Sequence, residues 1–312
     1  MTNVYLSSRE YPGVASAVAI GSFDGFHRGH QEIIRKVREC SGTKGLTTVI
    51  YTFRRNPKLR TARIAGLLST NSERVEYAGR HGIMAIVMED FTSRFQAMDA
   101  ERFVRDILVA RLNAHVVVVG EDFRFGKGRA GDIVVMEHTL EDEGRRLAVV
   151  PEVRVGEHSC SSSSIRAMIA GGQVDEAAVY LGRPYAVDGV VVTGNRVGGK
   201  LGFPTANIEV PDPVKLLPGN GVYAVRACID GLPLAGVCNI GVRPTVSTDE
   251  RRTVEVHLLD FHRQIYGHLA RVEFVRRIRD EARFASPAAL AAQIVKDIAA
   301  ARALLGVDVP RL

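Results

Sequence analysis

The 312-residue chain has 46% apolar and 24% charged residues and a formal net charge of +6 at pH 7, the balance of a globular protein long enough for two domains. No apolar run approaches the roughly 20 residues that span a bilayer, the N-terminus lacks a leader pattern, and Cys40, Cys160, Cys228 and Cys238 show no CxxC spacing. A cytoplasmic protein without zinc or disulfide framework is expected. The positive charge would permit nucleic-acid binding, but basic residues are dispersed and aromatics are only 6% with no Trp; an anionic small substrate or a solvated basic surface explains the charge as well.

In chain order, Val14–Ile20 reads as a first buried strand that runs into Gly21 to His30, GSFDGFHRGH, ahead of a helix over Gln31–Cys40. A turn with three glycines and two histidines between strand and helix suits a nucleotide phosphate. Gly21 and Gly25 let the backbone around Ser22, Phe23 and Asp24 come close, and the helix N-terminus offers N–H groups and a positive dipole end. His27 and His30 add imidazole donors on one side of a helical turn. A histidine pair at this spacing also serves metal sites, but no third His, Cys or carboxylate stands nearby at ligand spacing; a plain structural turn is the other reading.

Strands over Thr47–Phe53, Ile83–Val87 and His115–Val119 then alternate with helices over Ser72–His81 and Ala100–Leu112. Such alternation predicts a parallel sheet covered on both faces, with ligands at the carboxyl ends of its strands. Glu121 to Asp132, EDFRFGKGRAGD, is a Gly- and charge-rich loop of the ligand-carrying kind. Ser161 to Arg166, SSSSIR, places hydroxyls just ahead of a helix. Ser162 or Ser163 can cap that helix, or together with Arg166 grip a phosphate.

Two short helices, Ile165–Ala170 and Val174–Leu181, precede the break at Gly182-Arg183-Pro184, where a boundary gives domains 1–182 and 183–312. Beyond it Tyr185–Thr193, Gly221–Ile229, Leu234–Ile240, Thr253–Phe261 and Ala270–Val275 are strand-like runs without crossover helices. They predict an antiparallel sheet or small barrel, followed by a closing helix from Pro287 to Leu305. Gly194 to Asn207, GNRVGGKLGFPTAN, imitates a P-loop through Gly194, Gly199 and Lys200. Leu201 stands where Ser or Thr would hold magnesium and no βαβ unit surrounds it, so a glycine-rich flap over phosphates is the better reading. Thr205 and Asn207 supply hard oxygens of the kind magnesium–nucleotide sites use, although Pro204 to Asn207 alone reads as a turn more often than a site. Glu255 lies in a strand-like run on one face with Thr253 and His257, a polar row that is either simply solvated or a placed carboxylate.

These pieces together resemble the bacterial bifunctional riboflavin kinase/FAD synthetase family over essentially the whole chain. The likeness rests on GSFDGFHRGH, VVGEDFRFG and SSSSIR in the first half, and on GKLGFPTAN, GVYAV, NIGVRPT and VEVHLLDF in the second. It implies an N-terminal nucleotidyltransferase-type Rossmann-like α/β domain and a C-terminal six-stranded antiparallel β-barrel. It also implies two reactions: ATP-dependent phosphorylation of riboflavin to FMN in the second half, and adenylylation of FMN to FAD with release of pyrophosphate in the first. On this resemblance His27 and His30, with the backbone of Gly21, Ser22, Phe23, Asp24 and Gly25, hold the ATP phosphates, supported by Ser162, Ser163 and Arg166. Asp122 and Phe125 line the flavin side, Phe125 by stacking. In the kinase half Glu255 is the general base, Gly194, Gly198, Gly199, Lys200 and Gly202 cover ATP, and Thr205 and Asn207 hold Mg2+ with ATP. Small molecules are the expected partners, with neither nucleic acid nor membrane.

Two departures stand out, one of them that Ser163 takes a place where the family often has Thr and Ser164 one where it often has Arg. The family usually has a Phe-Asp-Pro-His-Pro-like segment after its second strand, and here Phe53-Arg54-Arg55-Asn56-Pro57 puts Asn56 in the place of a phosphate-contacting histidine. It motivates an alternative, a specialised paralogue that keeps the kinase with a weakened or altered adenylyltransferase half. A flavin-binding regulator or basic nucleic-acid binder without catalysis is a third reading, against which the intact Thr205, Asn207 and Glu255 speak.

Overall fold

A computed structural model describes residues 2–42, 45–55, 66–194, 199, 201–243 and 251–308. The chain divides into two compact units, Met1–Ser162 and Ser163–Leu312.

In the first unit β1 (Asn3–Tyr5), β2 (Ser16–Ile20), β3 (Thr47–Phe53), β4 (Ala85–Glu89), β5 (Ala114–Gly120) and β6 (Arg146–Val150) form one sheet in the order β1-β4-β3-β2-β5-β6. Every pairing in it is parallel. The central strands are runs of Val, Ile and Ala because both faces are covered. Val18, Ile20, Val49, Tyr51, Val87 and Val117 pack on one side against Phe103, Ile107, Leu108 and Met136. Ala17, Ala19, Ile50, Ile86, Val116 and Val118 pack on the other against Ile34 and Val37 of α1 (Arg28–Gly42) and Tyr77 of α2 (Asn71–Arg80). Chain order reverses at β2, whose neighbours are β3 on one side and β5 on the other. This switch point opens a crevice at the carboxyl ends of β2 and β5, where sheets of this kind take ligands.

Some expectations need adjustment. After α3 (Ser93–Gln96), the predicted helix over Ala100–Leu112 is a short α4 (Ala100–Arg102) continued by a π-wound segment, Phe103–Val109. There Ala110 N–H donates to Arg105 C=O at 2.9 Å, five residues back. Helix α5 (Ile133–Asp142) was not predicted; Asp132 caps it, its Oδ1 accepting from Val134 and Val135 N–H at 3.1 Å. The edge strands β1 and β6 and the hairpin β7 (Arg154–Val155) with β8 (His158–Ser159) also went unread.

The second unit contains α6 (Ser162–Ala170) from Ser163 onward, α7 (Val174–Leu181) and a closed antiparallel barrel. Gly182, where a domain break was expected, is the left-handed C-cap of α7 at φ 72°. The barrel comprises β9 (Tyr185–Val192), β10 (Ala206–Glu209), β11 (Gly221–Ile229), β12 (Leu232–Arg243), β13 (Arg251–Leu258) and β14 (Leu269–Arg279), in the order β10-β13-β12-β11-β14-β9. Closure leaves no sheet edge. Helix α8 (Pro287–Leu305) starts with Ser286 as N-cap and Pro287 in its first turn, and ends at left-handed Gly306. Its Ala301 and Leu305 pack on Val222, Ala224 and Val237, which marks that face of β11 and β12 as the outside of the barrel. Asp297 of α8, almost fully buried, receives Arg279 Nε at 2.9 Å and Nη2 at 2.8 Å and so fixes the helix to the end of β14.

Candidate functional sites

The first site is the turn after β2. Phe23 and Phe26 adopt left-handed backbone at φ 46°, a conformation unfavourable for aromatic residues, while Gly25 takes φ 89°. The two phenyl rings are fully buried in the sheet core, which anchors the turn from below. Asp24 is buried too: its Oδ1 accepts from Ser69 N–H at 2.9 Å and Ser69 Oγ at 3.3 Å. Ser69 Oγ in turn accepts from Gly25 N–H at 2.8 Å. The Gly25 N–H, one of the groups expected to face phosphate, is thus bonded to Ser69 in this structure. Arg74, also buried, donates from Nη1 to Ser22 C=O at 3.3 Å, Thr52 Oγ1 at 3.2 Å and Phe53 C=O at 2.9 Å. One guanidinium thus joins the turn to the end of β3. Neither Ser69 nor Arg74 was singled out from sequence.

His27 and His30 are brought together as their spacing predicts, with ring centroids 3.7 Å apart and planes 25° apart. Only 6% and 8% of each residue remains exposed. Cys160 Sγ lies 3.7 Å from His27 Nδ1, and burial raises its pKa above the ordinary thiol value. Ser162 Oγ donates to Asp24 C=O at 2.9 Å, so the first residue of the SSSSIR helix is fastened to the turn. Ser163 and buried Arg166 follow on α6 within the second unit.

Of the two residues expected from sequence to line a flavin, Asp122 is exposed just beyond β5. Phe125, expected from sequence to stack on a flavin, sits within an aromatic cluster. Its ring is buried, with Phe103 at 5.6 Å and Phe123 stacked on it at 5.6 Å and 18°. Phe123 is the half-exposed member of the pair. A cleft of about 590 Å³ lined by Arg54, Arg55, Asp90, Phe91, Thr92 and Ser93 lies at the ends of β3 and β4. Arg54 is held there by Asp90 at 3.0 and 2.6 Å. Asn56 is outside the described residues.

The second site lies on the outer face of the barrel. Pro204 to Asn207 is not simply a turn: Asn207 belongs to β10, where it pairs in register with Glu255 of β13. Glu255 pairs in turn with Asn239 of β12, giving a row Asn207–Glu255–Asn239 across adjacent strands. Cross-strand partners share a face, and Asn239 shares the face of Val237, which packs under α8. Glu255 is half-exposed between buried Val254 and Val256, so the alternation read from sequence holds. Its negative charge adds to burial in pushing the Cys238 thiol pKa well up.

Gly194, two residues past β9, lies against Asn207, and a Cβ there would collide with the amide. Gly202 takes φ +87° and donates its N–H to Gly199 C=O at 3.2 Å. His257 Nδ1 lies 2.8 Å from Pro204 C=O, which ties the start of β10 to β13 beside half-buried Thr205. Gly198 and Lys200 lie outside the described residues. Thr205 and Asn207 bring a hydroxyl and an amide carbonyl, oxygen donors suited to magnesium.

Comparison with known proteins follows the same division. A family model described as FAD synthetase matches residues 13–164, and one described as riboflavin kinase matches residues 181–305. The chain is 37% identical over 286 residues to a bifunctional riboflavin kinase/FMN adenylyltransferase of Pseudomonas fluorescens, with 91% of each chain covered. It is 35% identical over 302 residues to the protein of the same description in Escherichia coli K12, covering 96% of each. Among solved structures, a crystal structure described as a macrolide-efflux protein from Streptococcus pneumoniae superposes with a TM-score of 0.88 at 29% identity, covering 96% of this chain and 98% of that one. Efflux is the description of that protein; among the described residues here, no helix is long and apolar enough to cross a membrane.

Proposed function

The chain belongs to the bifunctional riboflavin kinase/FMN adenylyltransferase family, and from that premise we propose that it converts riboflavin to FMN in its second unit and FMN to FAD in its first. The observation that carries this reading is the register row Asn207–Glu255–Asn239 on a closed barrel, in one chain with a histidine-bearing turn at the switch point of a parallel sheet. ATP is the second substrate of both reactions, which fits work in the cytoplasm. The paralogue reading is not favoured, because the synthetase match spans nearly the whole first unit.

In the kinase unit, the riboflavin 5′-hydroxyl oxygen attacks the γ-phosphorus of ATP while the bond to the ADP oxygen breaks. Glu255 takes the hydroxyl proton from its half-exposed position on β13. Gly194 keeps space for the Asn207 amide. Thr205 and Asn207 would hold Mg2+, which when bound neutralises phosphate charge.

In the adenylyltransferase unit, an FMN phosphate oxygen attacks the α-phosphorus of ATP and the bond to pyrophosphate breaks; no covalent enzyme intermediate is needed. The stacked His27 and His30 supply donors to the phosphates, and Ser69, Arg74 and Ser162 hold the turn that carries them. Preorganisation is the enzyme's main contribution here. Phe123 is the better candidate for the flavin face, with Phe125 as its support.

The test is chromatography of products from the full-length protein with riboflavin and Mg-ATP. FMN followed by FAD is expected. FMN alone would revive the paralogue reading, and no turnover would overturn both.

A further inference from the structure

At the end of β14, the Arg279–Asp297 pair fixes where the chain leaves the barrel toward α8. Two residues on, the Glu281 carboxylate lies directly over Gly241 of β12. A Cβ at Gly241 would collide with Glu281 Oε1 and stand 3.2 Å from Asn239 Nδ2, so the carboxylate and the amide converge on the space that glycine leaves open. Asn220 Nδ2 donates to Glu281 Oε2 at 3.4 Å, which holds the carboxylate from the other side. Glu281 itself is exposed.

Gly241 is also a diagonal neighbour of Glu255, because Glu255 pairs with Asn239 and Gly241 with Thr253. Diagonal neighbours on one face of an antiparallel pair are roughly 7–8 Å apart. The outer face therefore presents, in order, the hydroxyl and amide of β10, the carboxylate of Glu255 on β13, and a second carboxylate over β12.

We propose that Glu281 is a substrate-binding residue of the kinase unit that accepts hydrogen bonds from the ribityl hydroxyls of riboflavin. This rests on the kinase reading above. With the 5′-hydroxyl at Glu255 and phosphates over β10, the flavin chain runs toward β12. The ribityl chain is long enough to cover the diagonal from Glu255 to Gly241, and the ring lies beyond it. An ionised carboxylate is acceptor-only with about four lone-pair sites, which matches several hydroxyl donors; Asn220 occupies one oxygen and leaves capacity on both. Glycine at 241 is what lets the carboxylate come this close to the reacting row.

The experiment uses full-length wild-type, Glu281→Gln and Glu281→Asp proteins, with initial kinase rates at varied riboflavin and varied ATP. Lumiflavin, which has the ring without the ribityl hydroxyls, serves as competitive inhibitor. Hydrogen bonds to a charged group predict that KM for riboflavin rises about tenfold or more in Glu281→Gln. KM for ATP and the lumiflavin inhibition constant stay at wild-type values, and Glu281→Asp recovers part of the loss. The unchanged KM for ATP and lumiflavin constant, both read in the kinase unit itself, report that the barrel of each variant is folded. An unchanged riboflavin KM overturns the proposal. So does a parallel rise for ATP, which signals general disruption, or parallel weakening of lumiflavin, which places the contact on the ring. Absence of FMN formation by the wild type would instead overturn the kinase reading on which the proposal stands.

Discussion

Asn207 and Glu255 are register partners across β10 and β13, which sets an amide and a carboxylate side by side on the outer face of the barrel. The arrangement depends on glycine at 194, because a Cβ there would collide with the Asn207 side chain. Gly194→Ala is predicted to lower FMN formation by roughly 10²-fold through displacement of Asn207, while FAD formation from supplied FMN stays at the wild-type rate. Separate initial-rate assays of the two reactions check this; unchanged kinase activity would show that Asn207 has no part in it.

His27→Ala and His30→Ala should each depress FAD formation while sparing the kinase. Each imidazole is a preorganised donor, and loss of one such donor lowers kcat by roughly 10²–10³. The rings stack at 3.7 Å, so removing one also frees the other, and the double variant should lose less than the product of the single losses. Asn56→His is the companion variant, expected to raise adenylylation or leave it unchanged. Wild-type FAD synthesis in both single variants would refute the phosphate-turn assignment.

The Arg279–Asp297 pair is a largely buried charged contact that holds α8, with Asp297 4% and Arg279 22% exposed as side chains. Asp297→Ala leaves a guanidinium without its partner, and breaking a buried pair costs about 3–5 kcal/mol. Glu32→Ala, which removes an exposed partner of Arg35, should change stability by only about 0–1 kcal/mol. Urea unfolding of both variants measures the contrast. Equal midpoints would show that the α8 clasp contributes nothing.

Much of this was legible in the sequence because the elements carry their own period. β3, β11, α7 and α8 fall where the patterns of β-branched runs and of Ala and Leu place them. β10 was obscured because four residues with two polar side chains, entered through Pro204, look like a turn; only pairing with β9 and β13 makes them a strand. β6 was obscured for a related reason: as an edge strand it is buried at Val150 and partly open elsewhere. The histidine pair was readable because its two members are neighbours in one helical turn. Its supports were not, since Ser69 meets Asp24 from 45 positions away. Asn220 and Glu281 meet across 61 positions, a proximity created by the pairing of β11 with β14. The burial of Phe125 was not readable, because a sequence does not distinguish which of two aromatics, Phe123 or Phe125, faces inward.

The second unit is predicted to fold alone when expressed as residues 163–312, and to be less stable as residues 183–312. Truncation removes α6 and α7 and with them specific anchors. Asp175 pairs with Arg276 at 3.4 Å, and Gly219 N–H donates to Ile169 C=O at 2.9 Å. The Gly219 loop also accepts from Tyr223 Oη and leads into β11, beneath the site row. Thermal melts and kinase assays of the two fragments check this. A shorter fragment as stable and active as the longer one would make α6 and α7 dispensable to the barrel.

The most direct test of the division of labour is Glu255→Gln, assayed for both reactions in the full-length protein. Removing a general base lowers a rate by roughly 10²–10⁴, so FMN formation from riboflavin should fall by that factor. FAD formation from supplied FMN should be unchanged, because Glu255 belongs to β13 of the second unit and the histidine turn to the first. A variant that phosphorylates riboflavin at the wild-type rate would contradict the account.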